Sequence, residues 1–249
     1  MELIVIGAGP AYTDRRGAAG TSYLVRTADA ALLLDFGQGA FPNLASTLEP
    51  STLSAVLVSH LHPDHFIDLV PLRQYLKWEF DPPRRVRVVG PAGLADRLDA
   101  LHAHPGFTAA SLEVASLAAG MQRIGPFDVE ARLVTHTEES YALRVSIAGS
   151  SGPGLVYSGD CGRAGDLVPL IRPGDTLLSE ASFGAGPVAP GAEHLSAADA
   201  ARAATAGRAG RLLLTHILSG HSRPDALAAA QAAFAGPAQI VTEGDRFEV

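Results

Sequence analysis

Short hydrophobic runs along the chain predict β-strands, and longer stretches with apolar residues at helical spacing predict helices. The first run is Leu3–Ile6, and a helix is predicted at Phe66–Phe80, directly before an Asp-Pro-Pro stop. The other predicted strands are Ser22–Arg26, Ala31–Asp35, Ala55–Ser59, Val86–Val89, Val129–Val134, Tyr141–Ile147, Leu155–Ser158, Asp175–Ser179 and Leu212–Thr215, with two more around Ile240 and Phe247. The other predicted helices are Ala92–His104, Ser196–Ala206 with Ser196 as N-cap, and Arg223–Phe234. Strands and helices recur in both halves with no linker between them, which predicts one α/β domain over residues 1–249.

Composition narrows the class of protein. Of the 249 residues 47% are hydrophobic and 18% are charged, which is enough apolar material for a core and shows no bias toward disorder. No apolar run approaches the roughly 18 residues of a membrane helix, and the N-terminus lacks the features of a signal peptide. The single cysteine, Cys161, is typical of a reducing cytoplasm, so we expect a cytoplasmic protein without a membrane partner. The net charge of −7 argues against a broad nucleic-acid surface.

The densest polar motif follows the predicted strand Ala55–Ser59 and reads His-Leu-His-Pro-Asp-His at positions 60–65. Each of its imidazole and carboxylate groups would need a partner if buried, so packing does not account for them. A tight loop can turn His60 and His62 toward one metal ion, and Asp64 and His65 toward a second. A solvated polar loop is the alternative, and this density of ligand-type side chains disfavours it.

Three further polar residues follow predicted strands elsewhere in the chain, namely His136, Asp160 and His216. Taken singly, each has an ordinary explanation, such as a surface histidine or an Asp that starts a turn. Together with the first motif they complete two nitrogen and oxygen ligand shells that share Asp160. The first shell would contain His60, His62, His136 and Asp160, and the second Asp64, His65, His216 and Asp160. Such shells suit two divalent metal ions, Zn²⁺ best, with Mn²⁺ or Fe as alternatives.

This ligand pattern resembles the metallo-β-lactamase superfamily over nearly the whole chain. Four further segments, Ser158-Gly159-Asp160, Glu180-Ala-Ser, His194-Leu-Ser196 and Leu214-Thr215-His216, resemble its ribonuclease Z-like branch. The resemblance implies a four-layer αβ/βα sandwich with the site at one edge of two facing sheets. It also implies that Glu180 and His194 form a second functional pair beside the metals. Asp64 is a further catalytic candidate, because it can orient the attacking water or accept its proton.

One departure from that branch bears on the substrate. Enzymes of the branch that trim transfer RNA usually carry a long basic arm between the third-histidine loop and the bridging aspartate. Here only residues 137–159 lie between them, and they contain two predicted strands and a turn. The chain is therefore more similar to short, arm-less actinobacterial proteins, a group that includes atypical cyclic-nucleotide phosphodiesterases. This resemblance implies hydrolysis of a cyclic nucleotide or another small phosphodiester through a metal-bridging hydroxide, with His194 as the acid.

Other functions remain as alternatives. A ribonuclease Z-type endoribonuclease acting on tRNA 3′ ends is disfavoured by the missing arm and the net charge of −7. A thioester, lactone or sulfate-ester hydrolase has less use for the extra acid that Glu180 and His194 form. A di-iron oxidoreductase generally needs Glu where this chain has His62. The expected partner is therefore a small phosphodiester, and the sequence leaves open whether the chain forms a homodimer.

The other histidines, the cysteine and the tryptophan are interpreted as structural residues or left undecided. His102 and His104 lie at a helix end, and Cys161 is not needed because both metal shells are full without it. Trp78 is predicted to pack within its helix environment. His221 follows His216 closely enough to rim the pocket, and the sequence does not decide whether it or Trp78 contacts substrate.

Overall fold

The computed structural model describes residues 1–249 and contains two seven-stranded β-sheets. The strands of the first sheet are β1 Glu2–Gly7, β2 Ser22–Arg26, β3 Ala31–Leu34, β4 Ala55–Leu57, β5 Val86–Gly90, β6 Leu112–Ser116 and β14 Arg246–Glu248. Those of the second are β7 Gly120–Ile124, β8 Phe127–Leu133, β9 Tyr141–Ile147, β10 Leu155–Tyr157, β11 Thr176–Glu180, β12 Arg211–Thr215 and β13 Ala238–Ile240. The helices are α1 Phe41–Thr47, α2 Leu69–Trp78, α3 Leu94–Leu101, α4 Ala164–Leu167, α5 Ala197–Gly207 and α6 Arg223–Ala233.

In each sheet, four neighbouring strands are parallel and the rest are antiparallel. The first sheet runs β14-β1-β2-β3-β4-β5-β6, and the second runs β13-β12-β11-β10-β9-β8-β7. Strands β3 to β6 pair in parallel, as do β10 to β13, and all other neighbours are antiparallel. Parallel strands end at the same edge of a sheet, so the loops that follow them collect there.

The central strands are apolar on both faces, because helices cover the outer face of each sheet and the other sheet covers the inner face. In β2, Tyr23 and Val25 pack into a core shared by the two sheets, whereas Leu24 packs under the helices of the first sheet. The outer layer of the first sheet is formed by α1, α2 and α3, and that of the second by α4, α5 and α6. The predicted four-layer αβ/βα sandwich is confirmed.

Helix α5 shows how the sequence sets a close helix–sheet contact. Its buried face consists of alanines such as Ala200 and Ala204, which let the helix approach the sheet closely. Ser196 caps the helix as predicted, because its hydroxyl accepts from the Asp199 amide while the Asp199 carboxylate accepts from the Ser196 amide. This cap holds the segment just before the helix, which carries His194.

Several elements differ from the sequence prediction. Strands β6 and β7 and helices α1 and α4 were not predicted; β6 and β7 are edge strands with mostly exposed or half-buried side chains, so they lack a strong apolar pattern. Helix α2 begins at Leu69 rather than Phe66, because a 3₁₀ turn over Pro63–His65 precedes it. The prediction that Trp78 packs is wrong, since its side chain is 72% exposed. None of the helices combines the length and apolarity needed to cross a membrane.

A buried ion pair fixes the strands that carry the second half of the site. Arg144 of β9 is bidentate to Asp175, with Nε 2.7 Å from Oδ2 and Nη2 2.9 Å from Oδ1. Asp175 also accepts from the backbone amides of Gly154 and Arg172, so all its lone pairs face donors. The pair therefore joins β9 to the turns before β10 and β11.

We expect Asp175→Ala to lower the free energy of unfolding by about 3–5 kcal/mol, because it leaves the Arg144 charge buried without a partner. Urea denaturation followed by circular dichroism measures the change. The matched control is Glu130→Ala, which breaks the exposed Arg172–Glu130 pair and should cost less than about 1 kcal/mol. Equal losses in the two variants would contradict the role assigned to the buried pair.

Candidate metal centre

Polar residues from both sheets meet at one edge of the sandwich. They follow the carboxyl ends of four strands, with the 60–65 motif after β4, His136 after β8, Asp160 after β10 and His216 after β12. Strands β4, β10 and β12 are short, mostly buried apolar runs, whereas β8 alternates and ends in exposed Arg132 and Leu133. The structure brings all seven predicted metal ligands together: His60, His62, Asp64, His65, His136, Asp160 and His216.

The first group consists of His60, His62, His136 and Asp160, whose ligand atoms all lie within 4.8 Å of one another. The Nε2 atoms of His60 and His136 are each 3.7 Å from Asp160 Oδ2. His62 instead presents Nδ1, which is 3.1 Å from His136 Nε2. Three ring nitrogens and one carboxylate oxygen thus converge on one point.

The second group consists of Asp64, His65 and His216, again within 4.8 Å. Asp64 Oδ2 is 3.3 Å from His216 Nε2 and 3.5 Å from His65 Nε2. Asp160 reaches this group as well, with Oδ2 3.4 Å from His65 Nε2 and Oδ1 3.6 Å from His216 Nε2. The arrangement therefore matches the two predicted shells with Asp160 between them.

The donor set fits divalent cations. Only four buried side-chain polar atoms in the protein lack a hydrogen-bond partner, and three of them are His60 Nε2, His65 Nε2 and Asp160 Oδ1. Two ligands bound to a tetrahedral zinc at about 2.0–2.1 Å stand about 3.3–3.4 Å apart, close to the separations measured here. Orphaned buried atoms are costly, and a cation at each group would satisfy all three.

Asp35 is a buried carboxylate beside the cluster that the sequence analysis did not single out. It is fully buried just after β3, and its Oδ2 accepts from His65 Nδ1 at 2.7 Å, Tyr157 Oη at 2.6 Å and Ser59 Oγ at 2.7 Å. Its Oδ1 accepts from the Ser59 amide at 2.6 Å. Ser59 Oγ in turn lies 3.1 Å from His60 Nδ1. Asp35 therefore orients His65 directly and His60 through Ser59.

The outer hydrogen bonds determine which nitrogen of each ring faces the centre. His136 Nδ1 donates to the Glu193 carbonyl at 2.8 Å, and His65 Nδ1 donates to Asp35. A proton held on Nδ1 leaves Nε2 free as a ligand atom. The one available sequence signal for Asp35 was its position at the end of an apolar strand, the same position that marks Asp160.

The predicted pair of Glu180 and His194 lies beside this cluster. His194 Nδ1 is 2.9 Å from Glu180 Oε1 and 3.8 Å from Asp160 Oδ2. Burial disfavours the imidazolium, but the hydrogen bond and charge of Glu180 outweigh it and raise the pKa of His194 to about 9. Glu180 is almost fully buried at the end of β11 and also accepts from the Cys161 amide at 3.0 Å.

Burial and neighbouring charges shift the pKa values of two other rings in opposite directions. Burial and the neighbouring His65 hold the pKa of His60 well below its usual value. Burial also opposes charging of His65, yet Asp160 and Asp35 raise its pKa well above the usual value. Perturbed pKa values of this kind cluster at functional sites.

The remaining sequence candidates lie outside the two groups. Cys161 turns away from the cluster, with Sγ donating to the Arg163 carbonyl at 3.2 Å, and burial raises the pKa of its thiol to about 12. His221 packs near Phe183, at 6.3 Å between ring centres, and Phe183 in turn is 6.1 Å from His194. His102 lies at the end of α3 and stacks on Phe107 at 3.9 Å.

Comparisons with known proteins agree with this architecture. A family model described as a β-lactamase superfamily domain matches residues 31–217. An uncharacterized protein of Mycobacterium leprae is 36% identical over 239 residues, which cover 92% of this chain and 82% of that protein. A ribonuclease Z of Salinispora arenicola is 31% identical over 268 residues, covering 86% and 85%. The crystal structure of the metallo-β-lactamase fold protein YhfI from Bacillus subtilis has a TM-score of 0.87 at 24% identity, over 99% of both chains.

The family match, together with the fold, identifies a metallo-hydrolase whose His and Asp clusters are suited to divalent metals. The chain belongs to the β-lactamase superfamily. The resemblance to the metallo-β-lactamase superfamily and to ribonuclease Z that the motifs indicated is confirmed.

We expect the purified protein to hold two divalent transition-metal ions per chain, measured by elemental analysis after Zn²⁺ or Mn²⁺ addition and gel filtration. Asp160→Ala should lower the content of both ions, because its carboxylate faces both groups. His221→Ala is the control and should retain two. A wild-type chain that takes up no metal would refute the ligand assignment.

Proposed function

We propose that this protein is a two-metal phosphodiesterase that hydrolyses a small phosphodiester, with a 3′,5′-cyclic nucleotide as the leading substrate. The observation that carries the proposal is the pair of Glu180 and His194 beside the shared carboxylate of Asp160. Hydrolysis of an unactivated phosphodiester expels an alkoxide, which is a poor leaving group unless it receives a proton. A thioester or lactone has less need of such a donor.

The proposed metal ligands are the seven residues of the two groups, with zinc as the best match to the donor set. When bound, two divalent cations lower the pKa of water and act as Lewis acids toward phosphoryl oxygens. Asp64 is only 7% exposed and turns Oδ2 toward His216 and His65. This placement allows its carboxylate to orient the attacking water and to accept a proton from it.

His194 has the properties of a general acid. Its Nδ1 donates to Glu180, while its Nε2 has no partner within the protein and the side chain is 27% exposed. A pKa of about 9 keeps the ring protonated near neutral pH. The proton on Nε2 is therefore the one proposed to move to the leaving oxygen, with Glu180 stabilising the imidazolium.

The surface beside the centre supports a small substrate. A groove of about 360 Å³ is lined by Leu61, Pro91, Ala92, Arg97 and residues 137–139. This lining includes the sequence neighbours of His62 and His136. Pockets of about 300–1,000 Å³ are typical of small-molecule sites. Arg97 donates to the Leu61 carbonyl through one nitrogen only, so its guanidinium retains donors for a ligand. No long arm is inserted between His136 and Asp160, where β9 and the start of β10 follow short connections.

A substrate panel tests the proposal directly. We expect 3′,5′-cyclic AMP and bis-p-nitrophenyl phosphate to be hydrolysed, and S-lactoylglutathione and a precursor tRNA to be poor substrates. The metal-depleted protein is the control for each substrate. Efficient precursor-tRNA cleavage with affinity falling steeply as salt rises would favour ribonuclease Z activity instead, and rapid thioester hydrolysis alone would favour the other alternative.

His194→Ala should slow hydrolysis of an unactivated phosphodiester by roughly 10²–10⁴-fold, the range associated with loss of a general acid. The loss should be much smaller for a p-nitrophenyl ester, because p-nitrophenolate leaves without a proton. Glu180→Gln should give the same pattern in milder form. Steady-state kinetics on both esters, with metal content measured in parallel, check the expectation.

The exposed His102→Ala serves as the control for removing an imidazole, and it should leave both rates unchanged. Equal losses on the two esters in His194→Ala would mean that this residue binds substrate uniformly or supports structure. The acid assignment would then be dropped while the metal ligands stayed in place.

A further inference from the structure

We infer that Ser182 is a positioning residue that fixes the proton of His216 and joins this metal ligand to the Glu180–His194 pair. The inference rests on the proposed metal centre but not on the identity of the substrate. It assigns a role to a hydroxyl that neither the ligand groups nor the acid pair include.

The contacts of Ser182 are unusually dense for one hydroxyl. Ser182 is fully buried, and its Oγ lies 2.6 Å from Glu180 Oε2 and 2.9 Å from His216 Nδ1. His194 Nδ1 is also near, at 3.3 Å. The Ser182 amide donates to the same Glu180 oxygen at 2.9 Å, so backbone and side chain hold the carboxylate together.

The number of hydrogens that each group can donate gives the direction of the hydrogen bonds around Ser182. A serine hydroxyl has one hydrogen to donate, and an ionised carboxylate can only accept. The hydrogen of Ser182 Oγ therefore points to Glu180 Oε2. Its lone pairs must then accept, and the nearer donor is Nδ1–H of His216. The ring proton of His216 is thus held on Nδ1.

This arrangement prepares His216 as a ligand. With the proton on Nδ1, Nε2 presents a lone pair toward Asp64 and Asp160, where a cation would lie. Asp35 does the same for His65 on the opposite sheet. The difference is that Ser182 also donates a hydrogen bond to Glu180. His216 and His194 are therefore both linked to the Glu180 carboxylate, His216 through Ser182 and His194 directly.

The backbone supports the same geometry. His216 has a positive φ of 56°, in a region that non-glycine residues adopt rarely. Its amide donates to the Ala8 carbonyl at 3.2 Å, and the Leu218 amide donates to the Ser182 carbonyl at 3.2 Å. The ring is therefore carried by a strained turn, and Ser182 supplies the contact that fixes its rotation.

Metal titration against a chromophoric chelator tests the inference without using activity. In Ser182→Ala, one of the two sites should lose affinity by about 10–100-fold, while the other keeps its wild-type affinity. Ser182→Thr restores a hydroxyl and should recover most of the loss. Ser179→Ala is the matched control, because Ser179 is equally buried on β11 but its hydroxyl bonds only to the Glu180 carbonyl.

Thermal unfolding of the metal-free variants separates this role from a general packing defect. Two wild-type sites in Ser182→Ala would overturn the inference, as would equal weakening of both sites with a lower Tm than Ser179→Ala. If the wild-type protein binds no metal, the proposed centre itself fails. If both ions bind and only one weakens while no phosphodiester is cleaved, the substrate proposal fails and the role of Ser182 stands.

Discussion

The need to balance the buried charge of Asp160 organises the site. Its carboxylate is 3% exposed, and four imidazole nitrogens approach it at 3.4–3.7 Å. Burying an ionised carboxylate costs several kcal/mol unless positive charge and hydrogen bonds offset it. Imidazoles can supply that charge only by protonation, which burial opposes, and at His60 burial holds the pKa well below its usual value. Two divalent cations would supply it without protonating the rings, and would also give partners to the buried atoms that lack them at the same place.

Each of the two sheets supplies part of the residues around Asp160. The first supplies the 60–65 motif and Asp35, and the second supplies His136, Asp160, Glu180 and His216. Hydrogen bonds cross between the sheets beneath the centre, from Tyr157 to Asp35 and between Tyr23 and Thr215. The rings of Tyr23 and Tyr157 also pack together at 5.2 Å between centres. The candidate metal centre therefore lies where the two sheets are joined by these contacts. Small shifts of one sheet relative to the other would misplace the candidate ligands of both groups.

Sequence reasoning selected the seven candidate ligands because the dense 60–65 motif could be combined with single polar residues that follow predicted strands. An apolar run that ends in His or Asp can be recognised from the sequence alone. The bounds of β2 and β9 were predicted correctly because their apolar runs are equally clear. The residues that orient the ligands carry no such signal. Asp35, Ser59 and Ser182 are single common polar residues, and their roles arise only when strand order brings distant segments together. Edge strands β6 and β7 were missed because one face of each is exposed to water, which removes the apolar pattern on which the prediction depends.

Two carboxylate–imidazole pairs in this protein show how exposure separates orientation from proton transfer. Asp35 and His65 are joined at 2.7 Å, and Glu180 and His194 at 2.9 Å, so the chemical pairing is the same. His65 is fully buried with Nε2 directed at Asp64 and Asp160, so its proton has no route to a substrate. His194 keeps 27% of its side chain exposed and leaves Nε2 without a protein partner. The first pair is therefore suited only to holding His65 in place, whereas the second has the exposure that the proposed proton transfer requires.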